Sequence, residues 1–340
     1  MKQKFRLMAW IGGLAALLVS ACACSPETAL QRVLGGSAEA PVFISCKAVS
    51  ATEISFRFSL PVRVKSLVFD PPLEAELVSE GAQVRVRLHI PLEGGRKVTA
   101  DMLVEDEHGN TLAVLVPFRT KNDRVPALLI TEVRTEYAKP KAEFVELKTF
   151  SAGNLGAVRL FIAGAGMDTP VFEFPPVEVR AGEYIVIHLR NLHEGLDEIG
   201  ENLEATPYTK DNEALAEARD FWVPGSKKLL RKTDAVMVID QDDRILDGLL
   251  LSENPDPWWK DEKMVMAAEM LTAQGAWESA GAKVPGPADA VFSARTTTTR
   301  SICRDETGTD TGSSADWYIT ASSNATPGKV NSIKRYIPKE

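Results

Sequence analysis

Thr52-Glu53-Ile54-Ser55-Phe56-Arg57-Phe58-Ser59-Leu60-Pro61-Val62 decides the fold class. Ile54, Phe56 and Phe58 alternate with Ser55, Arg57 and Ser59. Side chains two apart share one face of an extended strand, so this stretch is apolar on one face and polar on the other. Val84, Val86 and Leu88 repeat the pattern against Arg85, Arg87 and His89. One buried and one wet face is the mark of antiparallel strands. Asp106-Glu107-His108-Gly109-Asn110 reads as a turn, with Gly and Asn able to take positive φ. Residues 42–121 therefore read as one β domain.

The whole chain has 340 residues, 44% of them hydrophobic and 25% charged, which leaves room for two domains with real cores. Its net charge is −8. That balance opposes general nucleic-acid binding, which needs a positive footprint on the phosphates. Lys227-Lys228 and Arg231-Lys232 are local basic patches. Cys22, Cys24, Cys46 and Cys303 form no spaced pair of the zinc type. Cys46 and Cys303 either pair in an oxidising compartment or are two separate buried hydrophobes; the sequence leaves both open.

Upstream, Lys2, Lys4 and Arg6 precede an apolar run over 7–19, and small residues precede Cys22. This is the pattern of a secretory signal. Val19-Ser20-Ala21-Cys22 looks like a bacterial lipobox, which implies lipid modification of Cys22 and a cleaved leader over 1–21. The alternative is an uncleaved membrane helix, since residues 7–26 carry no charge. On the lipoprotein reading the chain works at a bacterial outer membrane or the periplasmic face of the envelope. Residues 22–41 then hold the modified cysteine and a tether, whose stretch 25–41, with Pro, Ser, Gly and Glu and little periodicity, reaches roughly 55 Å when extended.

Two family resemblances carry the body. The strand pattern of 42–121 with its Glu-His-Gly-Asn turn resembles bacterial Ig-like domains. Past a polar hinge at 121–126, Leu129-Ile130-Thr131-Glu132-Val133, Glu143-Phe144-Val145-Glu146-Leu147, Leu155-Gly156, Phe174-Pro175 and Ala181-Gly182-Glu183-Tyr184 follow in order. Thr233 to Asp247 reads as a hairpin, and Ala325-Thr326-Pro327-Gly328-Lys329-Val330-Asn331 as a closing motif. This order over 127–331 is similar to lamin tail domains. Phe144 and Ala157-Val158 stand where that family commonly has Trp. The resemblance implies a mainly β chain of two Ig-like β-sandwich domains in tandem. It implies binding, adhesion or scaffolding, and brings no catalytic centre.

Two stretches fall outside the resemblance. Within 189–232, residues 211–222 read as a short helix. Within 252–289, Asp256 and Pro257 start a helix that Gly275 ends. Long loops with their own structure are where function collects. Trp258, Trp259, Met264 and Met266 form either an apolar contact surface for a protein or lipid ligand, or core packed on the sandwich. The stripe expected to face inward is 259, 263, 266, 267 and 270.

Asp240, Asp242, Asp243 and Asp247 cluster around a hairpin turn and offer oxygen ligands for Ca²⁺ or another divalent metal; the competing reading is a solvated turn. Asp305, Glu306, Asp310 and Asp316 make a second case of the same kind. His188, His193 and Glu194 follow one strand and are the candidates for a metal-activated water site. No nucleophile elbow, P-loop or dinucleotide fingerprint is present. Two functions stay open: an envelope lipoprotein that binds, adheres or scaffolds, and a metal-dependent membrane-proximal phospholipase or phosphoesterase built from the insertions.

Overall fold

The computed structural model describes residues 39–139, 141–190, 218–279 and 284–338. Cys22 and the leader, His193, Glu194 and residues 211–217 lie outside them. The described chain is mainly β, with one α-helix, and holds two separate hydrophobic cores.

The first core belongs to six strands: β1 (Phe43–Ser50), β2 (Glu53–Asp70), β3 (Ala75–Ser79), β4 (Gly81–Leu88), β5 (Lys97–Glu105) and β6 (Thr111–Arg119). Their order is β3-β4-β2-β5-β6, with β1 also on β2. The first half of β2 pairs with β1 and β4, and the second half with β5. The β4 ladder is interrupted between Arg57 and Val62, the interval that holds Pro61. Proline has no N–H to donate, so such a break is where a strand tolerates it. Ile54, Phe56, Phe58, Val84, Val86 and Leu88 are all buried, as the period of two requires.

The second core lies between two larger sheets. One, in the order β11-β10-β15-β16-β17, uses β10 (Arg159–Ile162), β11 (Phe172–Glu173), β15 (Asp234–Ile239), β16 (Ile245–Ser252) and β17 (Val291–Phe292). The other runs β14-β13-β8-β7-β18-β19 through β7 (Leu128–Arg134), β8 (Phe144–Thr149), β13 (Tyr184–His188), β14 (Arg219–Trp222), β18 (Ile302–Arg304) and β19 (Trp317–Ile319). Short strands β9 (Gly153–Asn154) and β12 (Glu178–Val179) pair beside them. Residues of both larger sheets share one apolar cluster.

The α-helix α1 (Glu262–Ala273) packs on β15 and β16. It starts at Asp261, whose side chain caps it, five residues later than Asp256. Its buried residues are Met264, Ala267, Ala268 and Leu271. The inward face is thus rotated from the expected stripe, because Trp259 precedes the helix and cannot set its phase. A Cβ built on Gly248 of β16 would lie 2.0 Å from Leu271 Cδ2, so only glycine admits the helix this closely. Residues 219–222 form strand β14, parallel to β13, and not the end of a helix.

Candidate functional site

The Asp-rich turn stands where the two units meet. Asp240 builds it: its Oδ1 accepts from the Asp242 and Arg244 amides at 2.8 and 2.9 Å. Asp243 closes it in the left-handed region (φ 63°), which Asp tolerates better than most residues. The turn thrusts Gln241 and Asp242 at the first unit. Gln241 accepts from Asn122 N at 2.9 Å and donates to Thr120 O at 3.0 Å. Asp242 pairs with Lys121 and lies 3.6 Å from Lys47. The Lys121 hydrogen bond holds its carboxyl below the usual range.

The expected hinge at 121–126 is clamped. Asn122 is buried, and its Nδ2 donates to Asn154 O and Gly156 O at 2.8 Å each. Backbones meet here too: a Cβ on Gly156 would lie 2.0 Å from Gly94 O, and one on Gly95 would lie 2.2 Å from the Gly156 carbonyl carbon. Arg119 pairs with Glu173 across the same junction.

The remaining acids of the candidate cluster have their own partners. Asp243 pairs with Arg159 at 2.7 Å. Asp247 faces away, buried, accepting from Ile130 N and Arg304 Nη2 at 2.6 Å each. Burial pushes it up to about 6 despite the guanidinium. The acids of the 305–316 loop are likewise engaged, Glu306 by Lys148, Asp310 by Arg304 and Asp305 by Arg335. Asp316 caps the Ser313 turn. Among the described residues no three metal-ligating side chains converge.

Beside the junction opens a cleft of about 970 Å³. Residues 45–49 of β1 form one wall, residues 117–119 of β6 another, and Gln241, Asp242 and Asp243 close one end. Among the described strands β1 pairs only with β2, and β6 only with β5, so both are sheet edges. Lys47, Arg119 and Lys121 bring positive charge to it, and Asp242 and Asp243 negative. Cys46 also lines it, but burial pushes its thiol up to about 12, so the sulfur stays protonated and a poor nucleophile. Cys46 and the buried Cys303 are both free thiols.

His188 ends β13 as a buried residue. Its Nε2 lies 2.7 Å from Asp220 Oδ1, and its ring stacks on Trp222 at 5.0 Å, 13° from parallel. The set joins β13 to β14, with His188, Asp220 and Trp222 all buried. Nearby, Arg190 pairs with Glu143 and covers the Tyr137 ring at 4.0 Å.

The tryptophan and methionine group is split by packing. Trp259 is buried, its indole donating to Pro285 O at 2.8 Å, and Met264 is buried in the second core. Trp258 and Met266 stay open, at 69% and 49% exposure.

Sequence reasoning passed over two acids. Glu132 and Glu146 face each other across β7 and β8, both fully buried. Thr326 N and Oγ1 donate to Glu132 at 3.0 Å, and Ser301 donates to it as well. Gly328 N and Thr131 Oγ1 donate to Glu146 at 2.6 Å each. Asn331 Nδ2 completes the closure on Thr131 O and Arg304 O. Burial raises both carboxyls, and Glu132 raises Glu146 further. Their signal was an acid inside each of two apolar runs.

Comparison with known proteins gives one relative, an uncharacterized protein of Treponema pallidum (strain Nichols), 29% identical over 219 residues. The alignment covers 60% of this chain and 53% of the relative, so the chain spans about half that protein's length. A crystal structure of a DUF4876 family protein from Bacteroides thetaiotaomicron aligns over 82% of this chain and 94% of its own at 13% identity. Its TM-score is 0.29. A family model, TP_1001_2nd (protein second domain), matches residues 126–319, which include the second core and its half of the junction. This match spans more than half of the chain, which therefore belongs to the TP_1001 protein second-domain family.

Proposed function

We propose that the protein is an envelope lipoprotein, anchored through Cys22, that binds an extended polypeptide in the cleft beside its junction. Its body consists of two Ig-like β-sandwiches in tandem. The second is of the lamin-tail type, with helical insertions at 189–232 and 252–289. The observation that carries the binding reading is the cleft itself, where two sheet edges border about 970 Å³ of open space. An unpaired edge offers backbone donors and acceptors in a fixed row, and an added strand satisfies them whatever its sequence. Val49, half exposed, supplies apolar contact on the β1 wall. The clamp at Asn122 and Gly156 supports the same reading, since it holds the Asp242 end against the walls.

Three measurements test this. Palmitate labelling that survives Cys22→Ala would remove the anchor. For the cleft, panning a random peptide library on the full chain should enrich ligands that lose at least about tenfold in affinity when Lys47→Pro breaks the β1 edge. Retained affinity would move the ligand elsewhere. Phosphoester or lysophospholipid turnover abolished by EDTA and by His193→Ala would replace the binding reading with a hydrolytic one.

A further inference from the structure

A second surface lies along β19, at one end of the second unit's larger sheet. The extended run from Ser332 to Pro338 lies along β19: Ala321 N donates to Lys334 O, Tyr336 N donates to Ile319 O, and Thr320 bridges Arg335 in antiparallel register. Ile333 and Ile337, at 83% and 81%, are the two most exposed large hydrophobic residues described. They flank Arg335 at alternate positions, so the three share one face of the run.

Arg295, Arg300, Arg335 and Ile337 together line a cavity of about 450 Å³. The guanidinium planes are held in place. Arg300 covers the Tyr336 ring at 4.0 Å and donates to Ser322 Oγ at 3.1 Å. Arg335 covers the Tyr318 ring at 4.4 Å and is steadied by Asp305 at 2.6 Å. Arg295 is exposed beside them. On a chain whose net charge is −8, three arginines around one opening are a local reversal of sign.

Aliphatic side chains standing clear of the surface among arginines and tyrosines suit one environment in particular. A bilayer boundary takes apolar side chains into its acyl edge and meets cations with phosphate. Planar guanidinium groups match phosphate oxygens two at a time. We propose that this corner docks on an anionic bilayer, with Ile333 and Ile337 entering the headgroup boundary and Arg295, Arg300 and Arg335 meeting lipid phosphates. The proposal deepens the membrane placement above. It also gives the tether a second role, which is to let the body lie down on the bilayer.

The test uses residues 39–340 without Cys22, so failure of lipidation and failure of this surface give different results. Among the described residues both cores are made of residues between 43 and 319, and a melting curve of this body matching that of the full chain checks its packing. It is sedimented with vesicles of phosphatidylcholine alone and of phosphatidylcholine with phosphatidylglycerol, at low and high salt. The expected result is at least ~10-fold stronger binding to the anionic vesicles, weakened by salt. Arg295→Glu should remove about tenfold of that affinity, and Ile333→Asp with Ile337→Asp should do the same, both without moving the melting temperature. Equal binding to the two vesicle types, no binding to either, or variants that bind as the parent does would each overturn the proposal. Self-association through these residues in place of vesicle binding would also overturn it, and would make the corner a protein contact.

Discussion

Along β5 buried and open residues alternate, whereas along β15 all six residues are buried. Both strands are rich in apolar side chains, and both sit inside antiparallel ladders. The difference is what lies on the second face. The outer face of the first unit meets water, with Leu115 at 71% and Val68 at 63% exposure. The corresponding face of β15 and β16 is roofed by α1, with Leu271 set against Gly248. A strand that is apolar throughout therefore signals a second cover, and in this chain that cover comes from the 252–289 insertion.

The sharpest way to break this contrast is to thin the cover. Leu271→Ala should cost about 3 kcal/mol in the unfolding of the second unit, read from the urea midpoint. Leu115→Ala on the open face should cost no more than about 0.5 kcal/mol. Equal losses would mean that α1 is not a roof. The junction comes next. Gly156→Ala drives a methyl group into the Gly94 carbonyl, and overpacking of this kind costs about 2 kcal/mol. Calorimetry should then resolve two transitions drawn further apart than in the parent protein.

The two units should also respond differently to acid. Asp234 and Asp247, both of the second unit, are pushed up to about 6 by burial. The folded state then holds more protons than the unfolded one between about pH 4 and 6. Their contribution is complete below pH 4 and is lost as the pH rises through 6. Acidifying from pH 7 to pH 5 should therefore stabilise the second unit, by on the order of 1 kcal/mol, and Asp247→Asn should reduce the gain. In the first unit, burial raises Asp106, but hydrogen bonds from Asn110 and the His108 amide outweigh it and leave it lowered. That contribution is lost only as the pH falls through the lowered value, so the first unit should not gain between pH 7 and 5. The smallest effect is expected at Trp258→Ala with Met266→Ala, each within about 0.5 kcal/mol, since both side chains already stand in solvent.

The strand alternation of Ile54, Phe56 and Phe58 was legible because it is local, with period and burial set by the same backbone. The helix of the second insertion was legible for the same reason. Its start was not, because Asp256-Pro257 and Asp261 both carry capping chemistry and the fold uses the second. The fate of the acidic turn could not be read from the chain. Lys121 is 121 residues from Asp242, and Arg304 is 57 from Asp247. A carboxylate close to others in sequence is a ligand or an ion-pair partner according to which cations the fold brings in, and those came from other strands. Glu132 and Glu146 stayed hidden because a period-of-two pattern flags apolar positions and treats an acid as the wet face.

The closure by Thr326 to Asn331 has a consequence for the order in which the molecule is made. Its donors lie 194 and 182 residues beyond Glu132 and Glu146. The first unit can form its sheet as soon as residue 119 is free, for among the described strands its six pair only with one another. The second must wait for the far end of a chain that emerges from its N-terminus onward. A copy cut short before Thr326 leaves two carboxyls buried without their amides. Such a copy is penalised in its middle for what is missing at its end, because a buried carboxyl stripped of its donors is costly.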